Sequence, residues 1–307
     1  MKILVTGVSG LLGINIALEA AQHHDVVGIV NRHPLITQAF SVQQADLRTP
    51  GTVERLVDSV QPDWVIHCAA LANLEACEKD PQLAGELNIE LPRKLARYVA
   101  RGGARLLHVS TDAVFDGVRG NYAEEDEPNP LSVYAQTKLA GERAVHEVNP
   151  AAIIARVNLF GWSLLGQRSL AEFFFYNLKA GYPVKGFTDV YFCPLLANDM
   201  AQIFLKMLAK RLSGLYHVFS NDSMSKYAFG VEIARIFALN PERIAPIPVS
   251  AAGLQAARSP NLTMRVDKLI RDLDETPPTI STGLEQFSRL YQQGYPQMLK
   301  KMVKAEW

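Results

Sequence analysis

Gly7-Val8-Ser9-Gly10-Leu11-Leu12-Gly13 and Tyr134-Ala135-Gln136-Thr137-Lys138 are the two stretches of this chain whose residue types and spacing could do chemistry. Glycines in a strand-to-helix turn let the backbone approach a dinucleotide pyrophosphate, and the N–H groups that open the following helix face it. A phenol and an ammonium four residues apart lie one helical turn from each other on a single face. The ammonium favours the phenolate, lowering a value otherwise near ~10 toward the range useful for proton transfer. A nucleotide cradle with an acid/base pair suggests hydride transfer to or from a carbonyl or alcohol. Either motif alone is weak. The glycine spacing departs from the commoner Gly-x-Gly-x-x-Gly, and Tyr-x-x-x-Lys also arises on ordinary solvated helix faces.

Ser110-Thr111-Asp112 adds a third piece, directly after the apolar run Leu106-Leu107-His108-Val109. That is the carboxyl end of a parallel strand, where open α/β sheets bind ligands. A hydroxyl there could orient a substrate carbonyl while the tyrosine delivers the proton. It could equally close a Ser/Thr turn at the strand exit.

The elements that must hold these residues alternate. Apolar runs predict strands at Ile3-Leu4-Val5, 26–30, 65–67, 106–109 and 152–157, with helices at about 11–24, 51–60, 82–101 and 133–148. This predicts an α/β, Rossmann-type doubly wound parallel sheet. Strands near 190–196 and at 215–219 should extend or neighbour that sheet, and a final helix should run from about 282 to 303. From about residue 163 prolines and aromatics cluster. We expect 1–162 with about 188–220 to form the NAD(P)-binding domain, and about 163–187 with 221–307 a smaller, mainly helical substrate lobe. The run Phe173-Phe174-Phe175-Tyr176 fits core or a homodimer contact better than a sugar-stacking platform.

Further stretches carry a resemblance: Asp46-Leu47, His67-Cys68-Ala69-Ala70, Ala76-Cys77-Glu78, Asn88, and Ser110-Thr111-Asp112-Ala113-Val114-Phe115-Asp116-Gly117. Arg156-Val157-Asn158-Leu159-Phe160-Gly161 and Arg258-Ser259-Pro260-Asn261 follow in the same order. Through these the chain resembles the extended short-chain dehydrogenases/reductases, and is most similar to the dTDP-4-dehydrorhamnose reductases and related sugar-nucleotide reductases. The resemblance implies reduction of the C4 carbonyl of a nucleotide-linked 4-keto-6-deoxy sugar. Tyr134 would donate the proton, Lys138 would lower the tyrosine pKa and hold the nicotinamide ribose, and Thr111, with Ser110, would orient the carbonyl. It also implies cofactor contacts from Gly7, Ser9, Gly10, Leu11, Leu12, Gly13, Asp46, Leu47, Cys68, Ala69, Ala70 and Ser110, and substrate contacts from Asn73, Glu75, Phe115, Asn158 and Arg258. The chain departs from the family at Ala113, at Leu71-Ala72-Asn73-Leu74-Glu75 and at Thr188 to Leu195, positions that line nicotinamide and sugar in that group. Related epimerases and dehydratases, and the regulatory chain of methionine adenosyltransferase, share the same likeness.

Asn31-Arg32 stands at the end of the second strand, where an acidic residue would take an adenosine ribose 2′-hydroxyl. A guanidinium suits a 2′-phosphate, so NADP(H) is expected over NAD(H). Bulk properties agree. The 307 residues carry 31 basic and 31 acidic side chains, which argues against nucleic acid or an anionic membrane as partner. No apolar run approaches the ~20 residues of a membrane span, and the chain opens straight into a strand, so a cytoplasmic protein without a signal peptide is expected. Three cysteines without metal spacing read as reduced, mostly buried thiols. No metal site is expected, His23-His24 reads as a cationic helix cap, and Glu124 to Glu127 as a solvated loop.

Overall fold

Short apolar runs bounded by turn residues become strands here, and the amphipathic stretches between them become helices. In the computed structural model, which describes residues 1–252 and 259–303, the chain begins β1 (Lys2–Thr6), α1 (Leu11–Ala20), β2 (Asp25–Val30), β3 (Ser41–Gln44), α2 (Thr52–Val60) and β4 (Trp64–His67). It continues with α3 (Leu74–Lys79), α4 (Pro81–Gly85), a π turn at Glu86–Glu90, α5 (Leu91–Gly102), β5 (Arg105–Thr111), α6 (Val133–Val148) and β6 (Ile153–Val157). Next come β7 (Leu159–Phe160), α7 (Leu170–Lys179), β8 (Val184–Phe187), β9 (Tyr191–Phe192), β10 (Leu195–Leu196), α8 (Ala197–Ala209) and β11 (Gly214–Val218). The last elements are β12 (Met224–Ser225), α9 (Lys226–Ile236), β13 (Ile244–Ile247), β14 (Asn261–Leu262), α10 (Asp267–Leu273), α11 (Ile280–Gln292) and α12 (Tyr295–Lys301).

Seven strands form one all-parallel sheet in the order β11-β6-β5-β4-β1-β2-β3. This is the expected Rossmann-type architecture. Strand order reverses at β1, so the crevice beyond the carboxyl ends of β1 and β4 is the topological switch point. Side chains alternate across the sheet. Val5, Ile66, Leu107 and Ala155 pack with α1 and α8, whereas Leu4, Val65, Leu106 and Ile154 pack with α2, α5 and α6. Both faces are buried, which is why these strands read as continuous apolar runs. By the same alternation the α6-side face turns polar toward the carboxyl ends, with Thr6, His67, His108, Ser110 and Arg156 all buried.

Four expected boundaries differ. The helix expected over 82–101 is interrupted by the π turn, because Pro92 has no N–H to bond the Asn88 carbonyl. The segment near 190–196 gives two short strands outside the main sheet: β9 pairs with β12 and β14, and β10 with β7. The final helix breaks into α11 and α12 at Gly294, whose φ is +78°. The first helix ends at Ala20, so His24 caps nothing. Its ring lies edge-on to Trp64 at 5.4 Å, and burial, then the N-terminal ammonium, push its pKa down, away from the cationic form expected. In α7, Phe174 and Phe175 are core while Phe173 is exposed.

Candidate active site

The glycine turn is built for close approach. Gly7 has φ +74°, and a Cβ there would stand 2.8 Å from the Ala69 nitrogen. A Cβ at Gly13 would meet the Gly7 carbonyl oxygen at 2.3 Å, so α1 can seat on the turn only with glycine at that position. Gly10 is the N-cap of α1, and it supplies no side-chain cap; the first turn carries no acidic residue. The opening N–H groups therefore remain available for an anion, which is the local requirement for holding a pyrophosphate.

Two adjoining chambers form a cleft above this turn. The first, of about 260 Å³, is lined by Gly7, Ser9, Gly10, Asn31, Asp46, Leu47, Cys68, Ala69 and Ala70, all expected, together with His33, Arg48 and Arg168. The second, of about 630 Å³, is lined by Leu11, Leu12, Gly13, Asn73, Ser110, Thr111, Tyr134, Lys138 and Asn158, again expected, with Asp112 between them. The glycine turn and the Tyr134–Lys138 pair thus line adjoining spaces that share Gly7, Gly10, Cys68, Ala70 and Arg168. Arg32 is exposed and lies outside this lining. In its stead Arg48 lines the first chamber beside Asp46, joined to it through bonds of 2.7 and 3.1 Å that hold the Asp46 carboxyl below its ordinary range.

Ser132 caps α6 by accepting from the Ala135 nitrogen at 3.2 Å, which fixes where the helix starts and hence where Tyr134 and Lys138 point. Tyr134 is half-buried at the chamber wall. Desolvation pushes its pKa up to about 12, the neighbouring Thr111 side chain pulls it down, and the Asp112 and Cys77 charges add to the rise. Lys138 donates to the Val109 carbonyl at 2.6 Å, and burial brings its pKa down to about 8. The expected lowering of Tyr134 by Lys138 is therefore corrected: in this structure burial dominates both groups. Asp112 is buried and raised by desolvation, with Thr111 Oγ1 donating to Oδ1 at 3.1 Å and Asn158 Nδ2 to Oδ2 at 2.6 Å.

Other expected residues are placed differently. Ser110 Oγ donates to buried Glu142 at 2.5 Å, so its hydroxyl is committed away from a substrate carbonyl. Phe115 is fully buried, stacked on Tyr122 at 4.2 Å, and belongs to the core. Asn73 caps α3 by accepting from the Ala76 nitrogen, and exposed Glu75 sits in that helix's first turn, outside the lining. Arg258 lies outside the described residues. Glu124 accepts from the His217 nitrogen at 2.9 Å and so ties its loop to the sheet edge.

Asn88 holds the site together from behind. Buried in the π turn, it takes the Leu71 nitrogen at 2.9 Å and gives to the Leu71 carbonyl at 3.1 Å and to Thr137 Oγ1 at 3.1 Å. One side chain thereby fixes the loop 69–73 against the helix that carries Tyr134 and Lys138. His67 and His108, too distant in sequence for a shared role to be read, are register partners whose rings stack at 5.4 Å; burial pushes both far toward the neutral form.

A model of the RmlD substrate binding domain family matches residues 1–293. The chain is 32% identical over 290 residues to the probable low-salt glycan biosynthesis reductase of Haloferax volcanii, spanning 92% of this chain and 96% of that protein. It is also 32% identical over 274 residues to the methionine adenosyltransferase 2 subunit beta of Bos taurus, spanning 85% and 80% of the two. The crystal structure of a Bacillus anthracis dTDP-4-dehydrorhamnose reductase in complex with NADP superposes with a TM-score of 0.80 at 25% identity, over 93% of this chain and 98% of that one.

Proposed function

The chain belongs to the RmlD substrate binding domain family, and on that premise we propose that it is an NAD(P)H-dependent oxidoreductase that reduces the C4 carbonyl of a nucleotide-linked 4-keto-6-deoxy sugar. The observation that carries the reading is the sharing of one chamber by the glycine turn, Thr111, Tyr134 and Lys138. When bound, the reduced nicotinamide supplies the hydride. Tyr134 gives its proton to the oxygen that gains charge. Thr111, at the end of β5, would turn its hydroxyl from Asp112 Oδ1 to the same oxygen, while Asp112 and Asn158 hold that rim through their 2.6 Å bond. Lys138 uses one N–H on Val109 and keeps two donors for the ribose hydroxyls.

Within this reading NADPH is the better dinucleotide, and Arg48 is the residue that makes it so. Arg48 lines the first chamber beside Asn31 and His33, and its pairing with Asp46 lessens the repulsion that a lone carboxylate would exert on a 2′-phosphate. Arg48→Ala removes the cation and exposes that carboxylate. The affinity gap between NADPH and NADH should narrow by about 1–3 kcal/mol, read by fluorescence titration of both nucleotides. Equal affinities in the parent would refute the preference.

Position 113 separates reduction from dehydration. The related 4,6-dehydratases use an acidic residue after this strand to move protons while water leaves the sugar; Ala113 offers a methyl group. Reduction needs a hydride, one proton donor and an oriented carbonyl. The chain should therefore consume reduced nicotinamide stoichiometrically with a 4-keto-6-deoxy sugar nucleotide, followed by absorbance and product mass, and should not dehydrate a 4-hydroxy sugar nucleotide. Loss of water from a hexose nucleotide without net cofactor turnover would overturn the reductase. The similarity to a methionine adenosyltransferase subunit supports a second, non-catalytic reading. Tight dinucleotide binding with no turnover of any sugar nucleotide would favour it.

A further inference from the structure

Arg168 stands in the turn between β7 and α7, and that turn is fixed around one buried carboxylate. Glu172, fully buried, accepts from Ser163 N at 2.6 Å, Ser163 Oγ at 2.8 Å, Arg168 N at 2.9 Å and Ser169 N at 3.2 Å. Ser169 returns the bond by accepting from Glu172 N at 3.1 Å, and its hydroxyl donates to the Gly161 carbonyl at 2.8 Å. The backbone at 168 is thus held while the side chain is exposed, and its guanidinium has no hydrogen-bond or ion-pair partner among the described residues.

Five residues line both chambers of the cleft: Gly7, Gly10, Cys68, Ala70 and Arg168. Four are uncharged, so Arg168 is the cation at the seam that Gly7 and Gly10 of the glycine turn also line. A dinucleotide pyrophosphate carries two negative charges, whereas a helix N-terminus supplies about half a positive one. Arg48 is engaged with Asp46 in the first chamber, and Lys138 with Val109 in the second. We propose that Arg168 clamps the pyrophosphate of the dinucleotide from the turn before α7, completing the cradle that the α1 N-terminus begins. A guanidinium can take two phosphate oxygens at once, which a point charge cannot. The fixed 163–169 turn would then present the guanidinium to the pyrophosphate from a held backbone.

This inference rests on the dinucleotide-binding reading above, and the test separates the two. NADPH is titrated by fluorescence into the full-length parent, Arg168→Ala and Arg168→Lys, and thymidine 5′-diphosphate is titrated by calorimetry as the probe for a sugar-nucleotide diphosphate. The alanine variant should bind NADPH roughly tenfold or more weakly, the lysine variant should fall between, and the affinity for thymidine diphosphate should stay within about twofold. Thermal midpoints should not move, since the side chain is exposed. Unchanged NADPH affinity in Arg168→Ala overturns the clamp and leaves the reductase reading standing. Weakened thymidine diphosphate binding with NADPH unaffected assigns Arg168 to the substrate and also overturns it. A parent that binds neither NADPH nor NADH removes the dinucleotide reading itself.

Discussion

Tyr134→Phe should bind reduced nicotinamide nucleotide as tightly as the parent does and turn over at least about 10²-fold more slowly. The variant keeps the ring and its packing while deleting the one hydroxyl that Thr111 and the chamber share. Rival acids in the same space are poorly placed to substitute. The Ser110 hydroxyl is committed to Glu142, burial pushes the Cys68 thiol up to about 12, and both Asp112 oxygens are already bonded, to Thr111 and Asn158. Steady-state turnover with a 4-keto-6-deoxy sugar nucleotide, set beside nucleotide affinity by fluorescence, separates chemistry from binding. Near-parental turnover would remove Tyr134 from the mechanism.

The same environment sets the pH profile. Tyr134, pushed up to about 12, stays protonated through any practical assay range, so a donor role for it gives no alkaline limb there. Lys138 lies at about 8, below its ordinary value of 10.5, and loses its charge as pH rises through that point. For the dinucleotide, kcat/KM reports the free enzyme and should fall above about pH 8; Lys138→Arg should carry that limb upward. The stability contribution has the opposite sense. Because the folded value is depressed, the unfolded chain binds more protons between about 8 and 10.5, so the burial penalty is full below this window and is relieved as pH rises through it.

Much of this site was legible because its parts are local. Gly13 is demanded by its contact with Gly7 inside the same turn, Gly7 by its own left-handed φ, and the Tyr134–Lys138 spacing is a property of one helix turn. The parallel sheet announced itself in apolar runs buried on both faces. What escaped the sequence depends on where unrelated segments meet. Arg48 and Arg32 are both basic residues near strand ends, and only the path of the chain after β3 decides which one faces the cleft. Arg168 carries no sequence signal, since its role comes from a turn brought to the glycine motif by the fold. Phe115 sits in the most family-like stretch of the chain, yet its ring packs inward on Tyr122. The π turn at Asn88 arises from Pro92, which the helical spacing alone did not reveal.

Glu142→Ala should destabilise the protein by about 3–5 kcal/mol, the penalty for stranding a buried guanidinium. Glu142 and Arg156 show only 6% and 3% of their side chains to solvent and meet through three bonds of 2.8, 3.0 and 3.2 Å. Ser110 adds a fourth, and the guanidinium lies 5.0 Å over the Phe115 ring. Neither charge has water to retreat to, so removing the carboxylate leaves Arg156 with a ring face and no anion. Replacing both by apolar residues of similar size, Glu142→Leu with Arg156→Met, removes the charges together and should recover most of the loss. Urea unfolding with the slope compared among variants reads the effect. An alanine variant within about 1 kcal/mol of the parent would mean that Arg156 escapes to solvent. A double variant no more stable than the single would assign the loss to packing volume instead of charge. The pair also spans β6, α6 and the end of β5, one residue before Thr111. The double variant should therefore fold yet lose part of its turnover, because Ser110 no longer has a carboxylate to fix the strand end that presents the Thr111 hydroxyl.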